Sequence, residues 1–146
     1  MKIYFSYKFV FISILLLVLL NSACMRKKCR DTTATNSALF TFGSKDNSKC
    51  VYSKIAFFNS KQFINNSAVT KIELFINQTY IGEITQVYIN GIGNCTATGT
   101  VSYQFLSGKS IDWEAKFTLV NGTVFYSNGT VSPDSSLTCM SQDVSL

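Results

Sequence analysis

Histidine is absent from this chain of 146 residues. Without imidazole, the chain has no Ser-His-Asp or Cys-His arrangement for nucleophilic catalysis and no histidine metal site. Glycine-rich phosphate-binding motifs and the GxSxG motif are absent as well. Two acidic residues lie close in sequence, Asp112 and Glu114, but on a strand they are better explained as a solvated face than as a glycosidase pair. We therefore predict no enzymatic activity, no cofactor and no metal.

The chain also has little net charge beyond its first thirty residues. Its overall charge is +5, yet from Asp31 onward seven lysines stand against eight acidic residues, a net charge of −1. Nucleic-acid binding needs a basic face that displaces phosphate counterions, so we predict no nucleic-acid partner. The basic excess lies instead in a cluster at residues 26–30. Its four basic residues are either a tether to anionic lipid or a solvated linker.

The first apolar run is too short to span a membrane well. Lys2 and Lys8 precede an apolar run over residues 9–20 that is interrupted only by Ser13. Twelve helical residues cover about 18 Å of a hydrocarbon core that is about 30 Å thick. A basic start, a short apolar segment and small residues before a cleavage site are typical of a secretory signal peptide. We assign residues 1–23 to this signal.

The residues at the end of the signal resemble a known processing motif. Ser22, Ala23 and Cys24 resemble the last three positions of the bacterial lipobox, although Asn21 stands where that motif usually has an aliphatic residue. The resemblance implies that Cys24 is acylated and anchors the chain in membrane lipid, with residues 24–37 as the tether. Two alternatives stay open. Cleavage after Ala23 without acylation gives a soluble secreted protein, and an uncleaved segment gives an anchor with the basic cluster in the cytoplasm.

Four cysteines remain when Cys24 is set aside. Cys29, Cys50, Cys95 and Cys139 form an even set in a compartment where disulfides persist. Three pairings are available, and we favour Cys29–Cys50 with Cys95–Cys139 because this pairing joins sequence neighbours without crossing. No two cysteines lie at the close spacing that zinc sites use, so disulfides are the better interpretation.

Period-two alternation predicts that residues 38–146 form one all-β domain. The clearest strand covers residues 112–120, with Trp113 and Phe117 on its core face. The other predicted strands are 38–42, 51–58, 70–76, 80–84, 86–89, 100–105, 123–127 and 137–140. Asn-Gly pairs at 90–91, 121–122 and 128–129 predict tight turns, the second of them a hairpin. Short strands at this spacing favour a single antiparallel β-sandwich or a small barrel.

Two aromatic residues fall off the predicted core faces. Phe75 and Phe125 are candidates for a contact surface if they are exposed together, and otherwise they lie under a second sheet. Five Asn-x-Ser/Thr sequons occur as well, at residues 65, 77, 94, 121 and 128. Two of these coincide with Asn-Gly pairs, which have a simpler conformational explanation, and glycosylation stays open.

From about residue 71 to its end, the chain is similar to small envelope lipoproteins of Bacteroidota-like bacteria. The similarity rests on the segment Val87-Tyr88-Ile89-Asn90-Gly91, on Cys95 before a glycine-flanked strand, on Trp113 and on Cys139 near the end. This similarity implies only a cellular location and a fold class. Our main hypothesis is a lipid-anchored protein of the bacterial envelope, periplasmic or on the surface, that binds an envelope protein or glycan or gives structural support. The alternative is a soluble secreted inhibitor or effector that binds a protein target through a hairpin loop, 90–94 or 127–134.

Overall fold

The computed structural model describes residues 29–38 and 46–146, which form an all-β fold. Two sheets, mostly antiparallel, pack as a sandwich-like structure and not as a closed barrel, so the predicted fold class is confirmed. The elements are the 3₁₀ helix Asn47–Lys49, then β1 Lys54–Phe58, β2 Phe63–Ile64, β3 Ser67–Ile76, β4 Thr79–Glu83, β5 Val101–Gln104, β6 Ile111–Leu119, β7 Val124–Val131 and β8 Cys139–Asp143. The predicted signal, Cys24 and residues 39–42 of the first predicted strand lie outside the described residues.

The three-stranded sheet has the order β5-β1-β8. β1 pairs antiparallel with β5, placing Ala56 opposite Ser102, and parallel with β8, placing Ala56 opposite Ser141. The parallel pair departs from the predicted purely antiparallel sheet. A parallel pair requires a long connection, and here six strands, β2 to β7, separate β1 from β8 in the chain.

β1 is buried on both faces. Ile55 and Phe57 face the other sheet and are fully buried, while Ala56 and Phe58 are covered from outside. The segment 85–100 covers Phe58, since a Cβ on Gly91 would lie 4.0 Å from the Phe58 ring. Only one residue of the predicted strand 86–89 makes a β-bridge, because the chain already turns at residues 88–91.

The five-stranded sheet runs β2-β3-β6-β7, and β4 also pairs with β3. β6 lies at its centre with the predicted alternation, since Trp113, Ala115 and Phe117 are buried while Asp112 and Glu114 are exposed. A shift of one residue would bring the charged set into the core, so this pattern fixes which face of β6 is buried. The two sheets meet where Phe57 packs against Trp113, with ring centroids 6.0 Å apart.

Two hairpins close on residue pairs that begin with asparagine and lack glycine. Asn65 and Asn66 join β2 to β3 with φ of 49° and 62°, and Asn77 and Gln78 join β3 to β4 with φ of 47° and 66°. Positive φ at both central positions defines the type I′ turn that suits the strand twist. At the predicted hairpin between β6 and β7, only Gly122 has a positive φ, 81°, so residues 120–122 form a three-residue turn.

The predicted turn at Asn128-Gly129 is wrong, because both residues lie inside β7. There Asn128 pairs with Glu114 and Gly129 pairs with Trp113. A Cβ on Gly129 would lie 3.0 Å from Cζ2 of the Trp113 indole. This glycine therefore provides space for an aromatic ring and not the positive φ of a turn.

Both favoured disulfides are confirmed. Cys29–Cys50 and Cys95–Cys139 have Cα–Cα distances of 4.8 and 5.7 Å. The first holds residues 29–38 against the chain before β1, and the second joins the segment 85–100 to β8. The bonds indicate an oxidising location outside the cytoplasm. Within residues 29–38 and 46–146, no helix is long and apolar enough to cross a membrane.

Candidate binding groove on the outer sheet face

The solvent-facing side of the five-stranded sheet carries a chain of ion pairs. The Glu73 carboxylate lies 2.8 Å from Lys71 Nζ and 3.0 Å from Lys116 Nζ, and Lys71 also lies 2.9 Å from Glu83. Hydrogen bonds from Lys71 and then Lys116 lower the pKa of Glu73, and those accepted by Glu73 and Glu83 raise the pKa of Lys71. The two lysines and the two glutamates of this chain of ion pairs therefore neutralise one another.

Beyond the ion pairs, a groove of about 550 Å³ opens at one end of the same sheet. It lies where the β3–β4 turn, the start of β6 and the end of β7 come together. Its lining residues are Phe75, Asn77, Gln78, Asp112, Trp113, Glu114, Asn128, Gly129 and Thr130. The volume is within the range of small-molecule sites, about 300–1,000 Å³.

Asp112 is held in place from both neighbouring elements. Its carboxylate accepts a hydrogen bond from the Thr130 hydroxyl at 2.7 Å. Its backbone N–H donates to Oδ1 of Asn77 at 3.2 Å, and its carbonyl accepts from the Asn77 N–H at 2.8 Å. These three bonds tie the β3–β4 turn, β6 and β7 into one rigid wall of the groove.

Glu114 is the groove carboxylate that has no partner among the described residues. Its side chain is exposed and makes no ion pair or hydrogen bond with any residue in the described part of the chain. The register places it between Phe75 on β3 and Asn128 on β7, so all three share the outer face. Its carboxylate oxygens are therefore available to a ligand.

Phe75 supplies the apolar part of the groove. The ring is half-buried and meets Tyr80 of β4 edge-on, with centroids 5.7 Å apart. This contact fixes the ring beside Glu114 instead of leaving it free to rotate in solvent. A rigid aromatic surface next to a carboxylate can contact a ligand that is apolar on one side and polar on the other.

Phe125 lies on the opposite face of the sheet from Phe75. It pairs with buried Phe117 and packs at the edge of the core. It also lines a separate small cleft with Phe63, Ile64 and Leu146. The two predicted contact residues therefore do not form one patch, and the role of either in binding a partner stays a prediction.

The sequence pointed to only part of this groove. Phe75 was identified as off the core face, and Asp112 and Glu114 as neighbours on one strand face. Asn77, Gln78, Asn128 and Thr130 were missed, because strand register brings them together and local pattern does not reveal register. The available signal was the polar trio Asn77-Gln78-Thr79 between two alternating runs, which indicates a turn.

The groove has the chemistry of a binding site. Its lining contains acceptor-only carboxylates, side-chain amides, a hydroxyl and two aromatic residues, with no lysine or arginine. Among the described residues there is no cluster of three or more histidine, cysteine or acidic side chains that could hold a metal ion. The predicted lack of enzymatic activity stays a prediction.

All five sequon asparagines are exposed. Asn77 and Asn128 also line the groove, so a glycan attached at either would occupy it. The glycosylation question that the sequence leaves open thus bears directly on this site.

The loops considered for the secreted alternative differ in structure. Residues 90–94 form a true exposed loop ahead of Cys95, with Ile89 80% exposed at its start. Residues 127–131 belong to β7, so the segment 127–134 is not a protruding hairpin loop.

The fold and the groove together define the class: a disulfide-bonded, sandwich-like all-β domain with an open polar site. Comparison with known protein families, curated proteins and solved structures gives no match to this chain.

Proposed function

We propose that this protein is a lipid-anchored binding module of the bacterial envelope, of the kind found in small Bacteroidota-like lipoproteins. It is held to the membrane through an acylated Cys24 and acts by binding rather than by catalysis. The observation that carries the proposal is the outer-face groove. It combines a free carboxylate, several amides and an ordered aromatic ring on a rigid sheet.

The sequence supports the anchor. The run at residues 9–20 has the length of a cleaved signal, and Cys24 follows Ser22 and Ala23 as in a lipobox. The basic cluster at residues 26–30 adds attraction to anionic lipid, about 1 kcal/mol per basic residue near the surface. The two disulfides agree with an address outside the cytoplasm.

Rigidity supports the binding role. Asp112 is fixed by Thr130 and Asn77, and Phe75 by Tyr80, so the walls of the groove are ordered before any ligand arrives. A preformed site avoids most of the entropy cost of ordering side chains upon binding.

An intact mass of the protein from its native membrane fraction tests the anchor. We expect the mass of residues 24–146 plus a diacyl or triacyl group, with four cysteines alkylated only after reduction. An unmodified mass for residues 24–146 would move the protein to the secreted class. A full-length mass would make the first segment an uncleaved anchor. Either result contradicts the proposal.

One observation favours the alternative, a secreted inhibitor or effector. Ile89 is highly exposed beside a loop whose base, Cys95, is fixed to β8 by a disulfide. A rigid loop with an exposed apolar side chain can insert into a cleft of another protein. A pull-down with the refolded domain separates the two functions. Stoichiometric capture of an enzyme that is lost in Ile89→Asp favours inhibition, and recovery of envelope components alone favours the anchored module.

A further inference from the structure

The groove is acceptor-rich and negatively charged. Asp112 and Glu114 provide carboxylates, and the lining has no basic residue to balance them. The nearest lysine on the β6 outer face, Lys116, is bound to Glu73. An anionic ligand would meet uncompensated like charge, so charge complementarity favours a ligand that donates hydrogen bonds and carries no acid.

The groove also presents groups that a simple cation would leave unused. The amides of Asn77, Gln78 and Asn128 can each donate and accept, and they lie around the Phe75 ring. A saccharide ring matches this set, because it has hydroxyls at its edge and C–H groups on its face. An ammonium alone satisfies a carboxylate but neither the amides nor the aromatic surface.

We propose that the groove binds a glycan that contains an amino sugar with a free, protonated amine. The ammonium pairs with the free Glu114 carboxylate, the hydroxyls bond the amides of Asn128 and Asn77, and one sugar face packs on Phe75. This assignment rests on the proposed binding function and names the ligand class of the same site. Asp112 keeps its negative charge while one of its oxygens accepts from Thr130, so it adds to the attraction for the ammonium.

The test is a calorimetric titration of the detergent-solubilised protein, with both disulfides intact, at a pH that ionises both glutamate and amine. The probe is a glucosamine trimer with free amines. The comparison ligands are its N-acetylated form, a galacturonic acid trimer and a lysine tripeptide. We expect the glucosamine trimer to bind at least about tenfold more tightly than its N-acetylated form. A difference of this size is what the loss of one charge-assisted hydrogen bond produces. The acidic trimer should not bind.

Two matched variants locate the site. Glu114→Gln keeps the shape of the side chain and removes its charge, so it should weaken the glucosamine trimer about tenfold and leave the N-acetylated trimer unchanged. Glu83→Gln makes the same change on the outer face but outside the groove lining, and it should leave both affinities unchanged. Unfolding curves of both variants show that the fold is retained.

The outcomes separate this inference from the proposed function. No binding of any saccharide, or equal binding of the lysine tripeptide and the glucosamine trimer, overturns the ligand assignment even where the mass shows an acylated Cys24. Equal loss in Glu83→Gln overturns the location. Selective binding by a protein that carries no lipid supports the ligand assignment and contradicts only the anchor.

Discussion

At the scale of single residues, Gly129 makes space for a core aromatic within a segment whose neighbouring residues line the groove. On the inner face, its lack of a Cβ lets the Trp113 indole pack against β7. On the outer face, the neighbouring Asn128 and Thr130 line the groove. The same short segment of β7 therefore sets the position of a core aromatic and the shape of the candidate site.

Gly129→Ala should destabilise the protein by about 1–3 kcal/mol, the usual cost of overpacking a core. The added Cβ would meet three indole atoms at 3.0–3.1 Å, so the ring must shift. Urea unfolding measures the change in free energy. Gly93→Ala is the matched control, since its Cβ meets nothing within 4 Å, and it should stay within about 0.5 kcal/mol of the parent. Equal effects of the two substitutions contradict this account.

A second residue-scale prediction concerns acid stability. Burial raises the pKa of Asp143, but hydrogen bonds from Ser145 and Ser60 outweigh it, so the pKa lies below its usual value. A carboxyl with a lowered pKa in the folded state contributes stability that is present above its unfolded pKa, about 3.9, and lost as the pH falls through the folded value. The free energy of unfolding of Asp143→Asn should therefore fall less steeply than that of the parent as the pH decreases through this acidic range.

Unfolding free energies of the parent and Asp143→Asn, measured at a series of acidic pH values, check this expectation. Glu114→Gln, which removes an exposed carboxyl without a hydrogen-bond partner among the described residues, is the control. An unchanged slope in Asp143→Asn shows that the bonds to Ser60 and Ser145 do not favour the ionised carboxyl.

At the scale of elements, the sequence predicted the strands that bury one face and missed those whose limits depend on tertiary contacts. The alternation over residues 112–120 matches β6 because one face of that strand is in the core. The hairpins at Asn65-Asn66 and Asn77-Gln78 were missed since neither pair contains glycine, the usual signal for positive φ. Strand 86–89 was predicted from its alternation, yet the chain turns away before a ladder can form.

The β2–β3 turn gives an element-scale prediction. Asn66 has a φ of 62°, where a β-branched side chain is strained. Asn66→Val should cost about 1–2 kcal/mol of unfolding free energy, while Asn66→Gly should preserve or raise it. Thermal and urea unfolding measure both. Gln62→Val, at an exposed position without a positive φ, is the control. A Val substitution that is as well tolerated at 66 as at 62 would show that the turn relaxes to another type.

At the scale of the whole molecule, two disulfides close loops of different length. Cys29–Cys50 spans 21 residues and Cys95–Cys139 spans 44. The sequence predicted both pairings from the order of the cysteines. It could not predict the groove, because Phe75, Glu114 and Asn128 are far apart in the chain and meet only through the registers of β3, β6 and β7.

The double variant Cys95→Ser/Cys139→Ser should lose about 4 kcal/mol of unfolding free energy, and Cys29→Ser/Cys50→Ser slightly less, about 3 kcal/mol, as loop entropy predicts. Denaturant unfolding of the two variants and the parent measures the difference. The parent under reducing conditions should approach the sum of the losses. A larger loss from the shorter loop would contradict the entropic ranking.

The parallel pairing of β1 with β8 determines when the smaller sheet can be completed during synthesis of the chain. The strand at the centre of the smaller sheet obtains one of its two neighbours from residues 139–143, and Val144 directly after them is fully buried. Contacts between such distant parts of a chain form slowly. During synthesis, β1 therefore remains unpaired along one edge until residues 139–143 are available. The smaller sheet is complete only when those residues are available, and the Cys95–Cys139 bond, which ends in β8, forms no earlier.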